Sequence, residues 1–144
     1  ENFDNHEARL LSVESGGAVT YPPIILRLGG RFGATGVATY NIVSTVCNFD
    51  LTITGIRFYL DYTGPGVDVT TIDIQTYPFT GTFSSVLTTL PSLGGGGQTY
   101  QVSTNAVLNN AKVNIPSGSV IRMDLQTVNQ GALNLVCRID YVKT

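Results

Sequence analysis

Few residues in this chain carry reactive or ligating chemistry, and their spacing limits what that chemistry can be. His6 is the only imidazole. A Ser–His–Asp arrangement would need it fixed in a packed site, whereas it lies in a polar N-terminal stretch and reads as a solvated arm residue. Cys47 and Cys137 are the two thiols, too few for a zinc site without help from His or carboxylates. They can pair as a disulfide closing a long loop, which would add about 4 kcal/mol. The alternative is two buried thiols acting as small apolar residues. Asp61 and Asp68 flank the turn Gly64-Pro65-Gly66 and could begin a calcium shell. Such a shell wants about six to eight oxygens, and no acidic run completes it.

Asp73, Asp124 and Asp140 fall at polar positions of strand-like segments, and so do Arg57, Arg122 and Arg138. Cross-strand Arg–Asp pairs are the expectation, ahead of the converging carboxyls that glycoside hydrolysis requires. Gly30, Gly33 and Gly36 match neither phosphate-loop spacing, and no helix follows them. No catalytic residue, metal or cofactor is therefore expected. The chain has seven Tyr, six Phe and no Trp. Tyr40, Tyr59, Tyr62, Tyr77 and Tyr100 fall near loops or on exposed faces by pattern. Tyr rings stack on sugars and also anchor protein interfaces.

The elements that must position these residues are strands. No window combines apolar residues at helical spacing with good helix formers. Residues 8–13 read as a first strand or an extended arm, and the prolines at 22 and 23 lead into a strand over 24–28 at a sheet edge. Further strands are expected over 37–49, 51–61, 67–77, 83–90, 100–107, 112–115, 120–128 and 132–143. In 51–61 the alternation changes phase across Gly55, which predicts a β-bulge there. Ile72 and Ile74 point inward, with Asp73 and Gln75 outward. Leu133, Leu135, Cys137, Ile139 and Tyr141 share one face of the last strand, opposite Asn134, Arg138 and Asp140.

Eight or nine short strands joined by Gly, Pro and Asn turns predict an all-β fold, an antiparallel β-sandwich of jelly-roll type. Its length of 144 residues fits one domain, read as residues 18–144 preceded by an arm or edge strand over 1–17. No apolar run approaches the roughly 18 residues of a membrane span. The net charge of −2 speaks against nucleic acid, which needs a basic stripe. Charged residues make up only 12% of the chain, while Thr, Gly, Asn and Ser account for 53 residues. A surface built from neutral polar groups suits packing against copies of itself or a larger assembly.

Several segments carry a resemblance. LTITGIRFYL (51–60), the turn Gly64-Pro65-Gly66 and VTTIDIQ (69–75) resemble β-sandwich modules of tailed-bacteriophage virion proteins. So do VNIPSGSVIRMDL (113–125) and GALNLVCRI (131–139). In those modules a Pro-x-Gly turn leads into a strand carrying an Asp, and a Gly-bounded hairpin of two long strands closes the chain. The resemblance spans about 47–142. It implies a non-enzymatic component of the virion surface, a capsid decoration or fibre module, commonly a homotrimer. Its partners would be copies of itself and other virion proteins such as the major capsid protein, with loops such as 93–98 exposed. Two other classes stay open: a carbohydrate- or receptor-binding jelly roll using Tyr platforms, and a filament subunit exchanging the 1–17 arm as a strand.

Overall fold

The computed structural model describes residues 21–31, 42–65, 67–94, 101–103, 106–129 and 131–144. The strands are β1 (Ile24–Arg31), β2 (Ile42–Val46), β3 (Leu51–Tyr62), β4 (Val69–Tyr77), β5 (Ser84–Ser85), β6 (Leu87–Thr89), β7 (Ser92–Gly94), β8 (Gln101–Ser103), β9 (Val107–Leu108), β10 (Asn114–Ile115), β11 (Val120–Thr127) and β12 (Leu133–Lys143). One sheet, sheet A, runs β1-β12-β3-β10, with β8 also on β3; sheet B runs β2-β11-β4-β5, with β7 also on β4. A ribbon of β6 and β9 completes the fold. All pairings are antiparallel.

The first four long strands alternate between the two sheets along the chain, and the last two return one to each sheet: β12 lies between β1 and β3 while β11 lies between β2 and β4. This is the jelly-roll arrangement of a β-sandwich. It also corrects the expected closing hairpin: β11 and β12 belong to different sheets. The reason is burial. Each strand has one apolar face, and splitting the pair sets Ile121, Met123 and Leu125 against Leu135, Cys137 and Ile139 in one core. Phe58, Leu60, Ile72 and Ile74 fill the same core from β3 and β4. Each such side chain contributes about 1.5–3 kcal/mol relative to exposure.

The phase change in β3 is present. The β3–β12 register shifts between Asp140 opposite Gly55 and Tyr141 opposite Ile53, so the unpaired residue is Thr54, next to the glycine singled out by the sequence. The single strand expected over 83–90 is instead divided. Ser85 Oγ accepts from the Leu87 amide while its own proton goes to Asp73, turning the chain off the β4 edge. The chain then pairs with β9 and rejoins β4 at β7. Leu93, expected in an exposed loop, is fully buried. The arm over 1–17, the strand expected over 8–13 and the start of the one expected over 37–49 lie outside the described residues.

The connections at the two ends of the sandwich are stitched together. At one end the Asn129 amide group donates to the carbonyls of Pro65 and Asp68, both at 3.0 Å, and its backbone N–H donates to Thr70 Oγ1. Gly64 there has φ +87°, and a Cβ on it would lie 2.6 Å from the Asn129 side chain. Only glycine meets both demands. At the other end the amide of Cys47 donates to the Ser119 carbonyl and that of Gly118 to the Cys47 carbonyl.

Of the two readings of the cysteine pair, the structure shows the buried free thiols, at Cys47 and Cys137, rather than the bridge. Cys137 sits in register between Leu26 and Phe58. Burial pushes both thiols up from their ordinary pKa of 9.0, because an apolar surrounding disfavours the thiolate.

Two outcomes follow. Asn129→Ala, which strips two carbonyls of their donor, should lower stability in urea unfolding by about 1–3 kcal/mol. The raised thiol pKa stabilises the folded state below pH 9.0, and this contribution is lost above that pH as the unfolded chain releases its thiol protons. Stability should therefore fall above about pH 9 less steeply in Cys137→Ala than in the parent, while reductant leaves the melting temperature unchanged at pH 7.

Candidate functional site

The outward positions of sheet B form three cross-strand rows. Ile42, Asp124 and Asp73 make the first; Ser44, Arg122 and Gln75 the second; Val46, Val120 and Tyr77 the third. A polar chain runs through the first two. Arg122 Nε donates to Gln75 Oε1 at 2.7 Å, and Gln75 Nε2 donates to Asp73 Oδ2 at 2.9 Å. Ser85 Oγ donates to Asp73 Oδ1. Asp73 was expected to point outward and pair with an arginine, yet it is only 7% exposed, because Ser85 of β5 lies against it. Such connected hydrogen bonds hold each other's geometry.

That geometry fixes the Arg122 guanidinium 3.6 Å from the centre of the Phe83 ring. Phe83 stacks on Tyr77 with centroids 5.0 Å apart and 29° between planes, and Phe79 meets Tyr77 edge-on at 5.4 Å and 62°. Phe79 has φ +62° and is 58% exposed. Holding a non-glycine residue there costs about 1–3 kcal/mol. The strain presents an aromatic ring to water beside Tyr77, at the β4 end of the third row. The rings lie at angles and cover one another's faces, so they form a compact knob rather than a flat stacking platform. Tyr, Arg and apolar side chains gathered in one pre-set patch are the composition of an interface anchor.

The expected Tyr residues separate. Tyr77 belongs to this cluster on sheet B. Tyr59 is 39% exposed on the outer face of sheet A, and Tyr62 is half-buried at the end of β3. Tyr40 and Tyr100, like His6, Gly33 and Gly36, lie outside the described residues. The expected cross-strand Arg–Asp pairs are replaced by pairs along one strand: Arg122 with Asp124 at 3.9 Å, and Arg138 with Asp140 at 2.9 Å. Arg57 instead faces Arg138 across the ladder. Asp61 accepts from the Asn134 amide rather than joining Asp68, and no three potential metal ligands gather among the described residues. A second aromatic group joins Tyr21, Phe49 and Tyr141, with the Lys143 ammonium 4.8 Å from the Tyr21 ring and 4.3 Å from Phe49. It ties the last strand to the start of β1. Sequence reasoning missed Phe79 and Phe83; the turn residues Pro78 and Gly81, on either side of Phe79, were the available signal.

No family model matches the chain, and no curated protein matches it. Solved structures do. The chain is similar to the globular domain of the zebrafish complement 1qA protein, at 7% identity and a TM-score of 0.45 over 83% of this chain and 95% of that one. It is similar to the carbohydrate-binding module CBM28, specific for non-crystalline cellulose, at 9% identity and 0.44 over 85% and 76%. It is also similar to the capsid of Helicobacter pylori bacteriophage KHP30, at 14% identity and 0.41 over 85% and 89%. These are likenesses of shape at low identity.

Proposed function

We propose that the chain is a structural module of a tailed-phage virion surface, a capsid decoration or fibre unit. It acts without catalysis or cofactor, as a homotrimer that also packs against neighbours such as the major capsid protein. The observation that carries this reading is Phe79: an exposed ring kept in a strained backbone conformation beside Tyr77, Phe83 and Arg122. Strained residues of this kind cluster at functional contacts. The motif resemblance over 47–142 and the neutral, Thr- and Asn-rich composition support the same reading, since few charges need be desolvated when such a surface packs.

Phe79→Gly separates assembly from folding. Glycine relieves the positive φ but removes the ring. In sedimentation velocity the parent chain should run as a trimer at micromolar concentration, and Phe79→Gly should dissociate at least tenfold more readily. Its melting temperature should equal or exceed the parent's. A variant that stays trimeric, or a parent that stays monomeric at every concentration, contradicts the reading.

A further inference from the structure

The outer face of sheet A carries a second, chemically different surface. Its register places Arg27, Val136 and Tyr59 side by side in one row, and Ile25, Arg138 and Arg57 in the next. Above the first row lies a groove of about 480 Å³, lined by Arg27, Gly29, Tyr59, Asp61, Asn134 and Val136 among others. That volume is in the range of small-ligand sites. Gly29 keeps one side open: no atom of the described residues lies within 4 Å of where a Cβ would be. Asn134, at the turn end of β12, has φ +54° and swings its amide toward β3, where Nδ2 donates to Asp61 Oδ2 at 2.9 Å. The Asp61 carboxylate is thereby held in one orientation on the groove wall.

The charge balance of this face is the unusual part. The chain has net charge −2 and only eight Lys and Arg residues, yet Arg27, Arg57 and Arg138 share the face. Among the described residues Arg138 is paired, with Asp140, while Arg27 and Arg57 form no ion pair. Directly opposed like charges such as Arg57 and Arg138 destabilise a sheet, and an anionic ligand relieves that. The groove combines an aromatic ring for the C–H face of a pyranose, a carboxylate and an amide for a pair of hydroxyls, and a guanidinium whose planar fork fits a carboxylate.

We infer that the groove formed by Arg27, Tyr59, Asp61 and Asn134 binds a carboxylated sugar, as found in acidic cell-surface or exopolysaccharide glycans. Tyr59 stacks on the ring, Asp61 and Asn134 take adjacent hydroxyls, and Arg27 takes the carboxylate. Asp61 in the wall disfavours phosphate-rich ligands, which offer it no hydroxyl in exchange for the repulsion. The site stands apart from the sheet B cluster and does not rest on the assembly reading.

Calorimetric and NMR titration of the full chain tests it with three probes: tri-galacturonate, sialyllactose and neutral lactose. At least one acidic probe should bind ten times or more tighter than lactose, and which one binds identifies uronate or sialate chemistry. The shifts should centre on residues 27–29, 59–61 and 134–136. Tyr59→Ala should weaken binding of that probe tenfold or more, and Arg27→Gln should erase its advantage over lactose. Both substitutions lie on an outer face, so an unchanged melting temperature and solution mass verify that fold and assembly are intact. Equal binding of all three probes, no acidic binding up to millimolar concentration, or affinity untouched by both substitutions overturns the inference.

Discussion

The ladder between β3 and β12 is the constraint on which the rest of the molecule depends. It runs from Tyr62–Leu133 to Leu51–Lys143 at the centre of sheet A. Its inward side supplies Phe58, Leu60, Leu135, Cys137 and Ile139 to the core; its outward side displays Tyr59, Asp61, Asn134, Arg57 and Arg138. A slip of one residue would exchange the two sets, burying arginines and exposing the core. The register is thus held by the hydrophobic effect, and the composition of the outer surface follows from it. The β4–β11 ladder imposes the same division on sheet B, with Ile72, Ile74, Ile121 and Met123 inside and the Asp73–Gln75–Arg122 chain outside.

Two outer surfaces with different chemistry result. On sheet B, hydrogen bonds set Arg122 against Phe83 and leave a knob of rings at one end. On sheet A, an open groove pairs one exposed Tyr with arginines whose charge the face does not balance. The first offers apolar contact at little desolvation cost; the second offers directed hydrogen bonds to a charged ligand.

Much of this was legible in the chain. Period-two alternation located the long strands, and the phase change at Gly55 found the bulge to within one residue. Alternation also separated inward from outward positions, which is why Tyr59 and Tyr77 were both singled out. It could not say that they lie on opposite sheets, because sheet membership depends on long-range pairing rather than on local pattern. The same blindness produced the expected β11–β12 hairpin and the expected cross-strand Arg–Asp pairs. Asp73 was read as an outward residue paired with arginine because nothing local shows that Ser85 arrives against it. Phe79 was missed because its significance lies in a backbone angle, not in its residue type.

The central claim, that assembly uses the sheet B knob and leaves the sheet A groove open, is tested most directly by hydrogen–deuterium exchange with mass spectrometry at low and high protein concentration. The account predicts that peptides covering 77–83, including the unpaired loop amides around Phe79, become protected as the chain assembles, while those covering 57–61 and 134–138 keep their exchange rates. Protection concentrated in 57–61 and 134–138, with 77–83 unchanged, would contradict it.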